Sequence, residues 1–147
     1  MGYRHTQAGR VIITGIGIAA VVALFYSWNT PQSYPVMLGV LISLIVVLGL
    51  FNSLAVELKG SKLTCSFGLG IIHKTFDLSD IHNVRIVRNP WYAGWGIRWM
   101  PGRYVLWSVS GFRAVELTLK DGSRFRIGTD EPEALVDAIR LHNTMYN

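Results

Sequence analysis

The hydrophobic positions along the chain follow a continuous pattern first and an alternating one afterwards. Val11 to Trp28, VIITGIGIAAVVALFYSW, and Val36 to Val56, VMLGVLISLIVVLGLFNSLAV, are apolar runs without a single charged residue. At about 1.5 Å of rise per residue, a helix over either run is long enough to cross a hydrocarbon core of about 30 Å. The neutral connection Asn29 to Pro35 is too short to hold a domain, so the two helices are expected to form a transmembrane hairpin. A secretory signal is the competing reading of the first run. Against it, the run exceeds the usual apolar region of a signal, and its exit, Phe25-Tyr26-Ser27-Trp28, is bulky where cleavage needs small residues. Tyr26 and Trp28 stand instead where an interfacial aromatic belt belongs. Gly15, Ala19 and Ala23 repeat one turn apart, as do Gly39 with Ser43 and Gly49 with Ser53, which suits close packing within the hairpin.

From Leu58 onward the period becomes two. Leu63, Cys65 and Phe67 alternate with Lys62, Thr64 and Ser66; Val115, Leu117 and Leu119 alternate with Glu116, Thr118 and Lys120. Phe125 and Ile127 likewise oppose Arg124 and Arg126. Gly68-Leu69-Gly70 and Met100-Pro101-Gly102-Arg103 read as turns, and Asp121-Gly122 is the clearest hairpin signal. The pattern predicts about seven antiparallel strands between Ser61 and Gly128, each with one wet face. A helix then closes the chain, with Asp130 as its N-cap and Glu133 completing a capping box. Leu135, Ala138, Ile139 and His142 lie on one face of it. The expected fold class is α+β: residues 1–10 as a cytoplasmic tail, 11–56 as the membrane hairpin (11–28 and 36–56), and 57–147 as a half-open barrel or curved sheet plugged by the last helix.

Charge sharpens this division. No Asp, Glu, Lys or Arg falls within residues 11–56, and all nine acids lie at or after Glu57. The net charge of +5 divides into +2 from Arg4 and Arg10 and +3 from the C-terminal part. Bases interspersed with acids make no nucleic-acid footprint. With Arg4 and Arg10 before the first run, Lys59 and Lys62 after the second and none between, the positive-inside rule puts both termini in the cytoplasm. Cys65 is the chain's one cysteine, which excludes an intrachain disulfide and fits a small buried hydrophobe.

Three stretches then carry a resemblance. They are Trp91-Tyr92-Ala93-Gly94-Trp95-Gly96-Ile97-Arg98, Ser110-Gly111 ahead of Ala114-Val115-Glu116-Leu117, and Asp121-Gly122 followed by Ile127-Gly128-Thr129-Asp130-Glu131-Pro132. Together they resemble the bacterial PH-like (pleckstrin-homology-like) membrane proteins, in which one or two transmembrane helices precede a PH-like domain. The resemblance spans roughly residues 54–143. It implies a PH-like antiparallel domain held at the bacterial inner membrane, and it brings no catalytic residues with it. Eukaryotic PH domains that grip phosphoinositides carry several Lys and Arg between their first two strands. The corresponding turn here, Gly68-Leu69-Gly70, is uncharged and does not support that chemistry.

Candidate chemistry concentrates in Arg88 to Trp107, which holds four of the five tryptophans. Arg88, Trp91, Tyr92, Trp95, Arg98, Trp99 and Arg103 form the candidate binding set. Aromatic rings beside guanidinium groups suit a bilayer interface, where rings enter the headgroup layer and Arg meets phosphate. They suit a protein interface equally, and rings of this kind also fill cores. Gly94 and Gly96 fit a bulge better than a phosphate loop. His5, His73, His82 and His142 are scattered without metal-ligand spacing, and Ser108 and Ser110 lack a nucleophile motif. No catalytic residue, metal or cofactor is expected. The functional expectation is a non-catalytic binding or scaffolding module at the cytoplasmic membrane face, in contact with membrane lipids, a membrane-protein partner or copies of itself. The alternative is a structural subunit that joins a larger membrane complex through its helical hairpin.

Overall fold

The structure is a computed structural model and describes residues 2–145. It is an α+β fold with two apolar N-terminal helices, two open sheets and a C-terminal helix. In chain order the elements begin with β1 (Tyr3–Ala8), α1 (Arg10–Asn29), α2 (Tyr34–Phe51) and β2 (Ser53–Lys59). They continue through β3 (Lys62–Phe67), β4 (Ile72–Asp77), β5 (Ile81–Arg88) and β6 (Gly96–Met100). Last come β7 (Tyr104–Ser108), β8 (Arg113–Leu119), β9 (Arg124–Gly128) and α3 (Pro132–Met145).

Both long helices are apolar and long enough to span a membrane. Their 20 and 18 residues correspond to about 30 and 27 Å of helix. The second is shorter than the uncharged run suggested: it stops at Phe51, and residues 53–56 already belong to β2. The Glu57–Gly60 stretch is accordingly the end of a strand and its turn.

The N-terminal segment, expected as a tail, is a strand. β1 runs antiparallel to β2, from Tyr3 opposite Leu58 to Ala8 opposite Ser53. The whole helical hairpin is therefore inserted between two neighbouring, hydrogen-bonded strands. At the exit point the Gly9 N–H donates to the Asn52 carbonyl over 2.6 Å, and a Cβ on Gly9 would sit 2.9 Å from the Phe51 and Asn52 oxygens. Only glycine fits there. β1 escaped a hydrophobic reading because its inward residues, Tyr3, His5 and Gln7, all carry polar groups.

The first sheet has the order β1-β2-β3-β4 and the second β5-β8-β9-β7-β6. The seven strands from β3 to β9 match the expected number over that span, yet they divide between two sheets and do not close a barrel. One pairing also departs from the antiparallel expectation: β7 and β9 run parallel, Val105 opposite Phe125. The β8–β9 hairpin slots between β5 and the β6–β7 hairpin, a long-range choice that alternation along single strands does not encode.

The core lies between the sheets. Leu54, Val56, Leu58, Leu63, Cys65 and Phe67 from the first sheet face Val115, Leu117, Phe125 and Ile127 from the second. An aromatic seam runs through it: Phe51 meets Phe67 at 5.3 Å, Phe67 meets Trp107 at 5.0 Å, and Trp107 meets Phe125 at 5.5 Å. The last turn of α2 is thus packed, through Phe51, against the core between the sheets. Leu135, Val136 and Ile139 seal the same core from α3. The start of α3 differs from the expected capping box. Asp130 accepts from His5 Nε2 at 2.6 Å, Glu133 pairs with Arg113, and Thr129 Oγ1 accepts from the Glu131 N–H. The helix begins at Pro132, which leaves Glu131 rather than Asp130 at the cap position, and Asp130 is bonded to His5 of β1 instead.

Candidate functional site

The second sheet has an outer face that is also covered. Residues 89–95, between β5 and β6, cross over it and are tied down at several points. The Asn89 N–H donates to the Phe112 carbonyl, Trp95 Nε1 donates to the Gly111 carbonyl at 3.1 Å, and Gly94 lies against the Arg98 guanidinium. Gly94 has φ +67°, the left-handed region in which glycine is favoured, and that lets the chain turn back into β6.

Beneath this crossing lies the polar centre of the sheet. The Glu116 side chain is fully buried and is gripped from both sides. Arg85 donates Nε and Nη2 to Oε1, and Arg126 donates Nε to Oε2 at 2.6 Å. Register explains the grouping, since Arg85, Glu116 and Arg126 are consecutive cross-strand neighbours on β5, β8 and β9. Burial by itself would push the Glu116 carboxyl up. The hydrogen bonds and charges of Arg126 and Arg85 outweigh it and hold the group below its ordinary range. Arg126 is fixed further: Nη1 donates to Asn89 Oδ1 at 3.1 Å, and its guanidinium carbon sits 3.5 Å from the Tyr104 ring centroid.

Beside this network opens a cleft of about 670 Å³. Arg88, Arg103, Arg124 and Arg126 line it, and Trp91, Tyr92, Tyr104 and Phe112 form its aromatic walls. Among the described residues no acidic side chain lines it. Arg126 is mostly buried and committed to Glu116 and Asn89. Arg88, Arg103 and Arg124 are exposed, and among the described residues none of these three side chains has a hydrogen-bond or ion-pair partner. Arg88 also stands directly opposite Arg113 in the β5–β8 ladder. Glu133 neutralises Arg113 from α3, so the unbalanced charge is left on Arg88.

Of the seven candidate residues, Arg88, Trp91, Tyr92 and Arg103 meet at this cleft. Trp95 does not line it; it is half-buried, packed 5.8 Å from Phe112 and tied to Gly111, so it supports the wall from behind. Arg98 and Trp99 lie on β6 outside the cleft, Trp99 at 74% exposure. Trp107, counted in the same aromatic stretch, belongs to the core. Arg124 and Arg126 are the site's additions. They read in the sequence as the wet face of a strand, and only the parallel β7–β9 pairing brings them beside Arg103 and Tyr104.

Among the described residues no group of three His, Cys, Asp or Glu side chains is placed to hold a metal. Cys65 is buried in the core, and burial pushes its thiol up to about 12. What the arrangement offers chemically is recognition: fixed and free guanidinium groups, planar rings, and no acid to compete with an anion. No family model matches the chain, and no curated protein is significantly similar to it.

Proposed function

We propose that the protein is a membrane-anchored, non-catalytic binding module of the PH-like kind, displayed on the cytoplasmic face of a bacterial inner membrane. The observation that carries this reading is the insertion of the apolar hairpin between β1 and β2, combined with the cationic, aromatic cleft on the far sheet. The paired strands place the N-terminal segment and the β-domain at the same end of the hairpin. Arg10 is at that end and Arg4 lies along β1, opposite Glu57, on the same side of the hairpin, while the opposite loop carries no Lys or Arg. Lys59 and Lys62 lie near the opposite end of a seven-residue strand, roughly 23 Å from the helix exit. They are close enough in sequence to bias insertion, yet too far away to grip headgroups beside the helices.

The exposed rings that remain, Trp91 at 79%, Tyr92 at 65% and Trp99 at 74%, are the surface on which a partner or lipid would be held. Trp95 is a poor probe because its truncation would also loosen the Gly111 loop. The test is a photo-reactive residue placed at Trp91 or Trp99 of the full-length protein in growing cells, with Ser123 in the β8–β9 turn as the control position. A discrete cross-linked species from 91 or 99 and none from 123 supports a binding module. Equal or absent cross-linking at all three positions refutes it. The alternative of a structural subunit draws on α2, which packs against α1 on one side and onto the core through Phe51, yet leaves Val36, Leu38, Ile42 and Ile45 exposed to lipid or other helices.

A further inference from the structure

We infer that the Arg88–Arg103–Arg124–Arg126 cleft is a binding site for a phosphate-bearing anion; this rests on the reading of the domain as a binding module and names its ligand class. Three independent features converge on it. The charge is unbalanced, because Glu116, the carboxylate bonded to the lining residue Arg126, is already shared with Arg85, and among the described residues no acidic side chain belongs to the lining. The geometry is preorganised: Arg126 is locked by Glu116, Asn89 and the Tyr104 ring, so one guanidinium is held in place before any ligand arrives. The rest of the lining is adaptable, since Arg88, Arg103 and Arg124 come from three different elements and have no partner to give up. A guanidinium presents planar, paired N–H donors that match phosphate oxygens, and three or four around one concavity suit a dianion better than a lone carboxylate. The rings of Trp91 and Phe112 at the wall would hold the apolar or planar group to which the phosphate is attached.

Two sources share this chemistry: an anionic phospholipid of the same bilayer, or a soluble phosphorylated compound. The cleft is structurally linked to the membrane end of the domain. Asn89 is bonded to Phe112, and the neighbouring Ser110 carbonyl accepts from Gln7, close to where β1 hands over to α1.

The experiment uses the full-length protein in nanodiscs and has two arms. In phosphatidylcholine discs, inorganic pyrophosphate is titrated while tryptophan fluorescence is followed. In discs containing phosphatidylglycerol, lipid retained by the released protein is counted by native mass spectrometry. The Arg88→Gln/Arg124→Gln variant removes two unpartnered side chains and should leave the thermal unfolding midpoint unchanged. Arg98→Gln on β6 is the charge control outside the cleft. Binding in either arm that weakens at least tenfold in the double variant and stays within twofold in Arg98→Gln supports the site. The pyrophosphate arm then indicates a soluble ligand and the phosphatidylglycerol arm a lipid. No binding in both arms, or equal weakening by Arg98→Gln, overturns it. If Trp91 and Trp99 still cross-link in that case, the module reading survives and only the ligand class falls.

Discussion

Removing the carboxylate of Glu116 should be among the most damaging single changes in the domain. The side chain has no exposed surface and holds two guanidinium groups, at 2.5 Å to Arg85 and 2.6 Å to Arg126. Breaking a buried pair by deleting one partner costs about 3–5 kcal/mol, because the other charge is left without compensation. The two arginines do not suffer equally. Arg85 is 55% exposed and can rehydrate, whereas Arg126 is 13% exposed and cannot. The cost therefore comes mainly from Arg126 and falls at the low end, about 3 kcal/mol for Glu116→Ala. In a protein of this size that corresponds to a drop in Tm of roughly 6–12 °C. Glu116→Gln keeps the volume and one acceptor, so it should lose about 1.5–3 kcal/mol.

The same residue sets a pH signature. Its folded carboxyl titrates below the ordinary 4.5, so its contribution is complete above that value and is lost as pH falls through the lower, folded one. Thermal unfolding of the full-length protein in detergent, followed by near-ultraviolet circular dichroism from pH 3 to pH 7, reads both effects. The wild type should lose stability on acidification more steeply than Glu116→Gln, whose curve lacks this carboxylate. A loss under about 2 °C for Glu116→Ala, or parallel acid limbs for wild type and Glu116→Gln, would refute the reasoning.

Three further outcomes are expected. Gly68→Ala should destabilise the domain by more than about 1 kcal/mol, because φ is +44° and a Cβ would collide with the Gly49 and Leu50 carbonyl oxygens. Gly60→Ala, at φ +54° but in open space, should cost clearly less in the same melt. Leu69, 74% exposed, and Ile71, 69% exposed, sit on the turn beside the end of α2, with Leu69 next to Gly49. A tryptophan at Leu69 should therefore be quenched by brominated lipid tails, and one at Ser123 should not. Cys65 is fully buried with its thiol held up to about 12, so native protein should resist maleimide at neutral pH and label only on unfolding. Rapid native labelling would mean that the core opens far more readily than its packing implies.

What the sequence made legible followed from physical regularity. An uncharged run of bilayer length needs no tertiary context: α1 stands where its run put it, whereas the second run also holds the start of β2, so α2 ends five residues before it does. The alternation at Leu63-Cys65-Phe67 and Val115-Leu117 assigned the core faces, because burial on one side of a strand leaves a period of two. Legibility ended where structure depends on pairing between distant segments. Tyr3, His5 and Gln7 face inward without being hydrophobic, so β1 left no periodic trace; its partner, β2, lies across the helical hairpin. The candidate site divided along the same line. Arg88, Trp91, Tyr92 and Arg103 could be picked out as an aromatic-basic cluster within one stretch, but Arg124 and Arg126 join them only through the parallel β7–β9 contact. An arginine on a wet strand face and an arginine in an anion cleft read alike until the neighbouring strand is known.

The position of the hairpin within the first sheet bears on how such a module would work. A domain on a flexible tether could tumble freely at the membrane surface. Here α1 and α2 leave from adjacent strands with a single residue at each junction, Gly9 and Asn52, which are themselves hydrogen-bonded to each other. Phe51 at the foot of α2 then packs onto Phe67, and through it onto Trp107 in the second sheet. Tilting the hairpin against the domain would strain the β1–β2 ladder and the aromatic seam together. The orientation of the cleft relative to the two apolar helices is thus a property of the core rather than of a linker. A ligand in the cleft and a helix partner in the membrane would act on one mechanically continuous body.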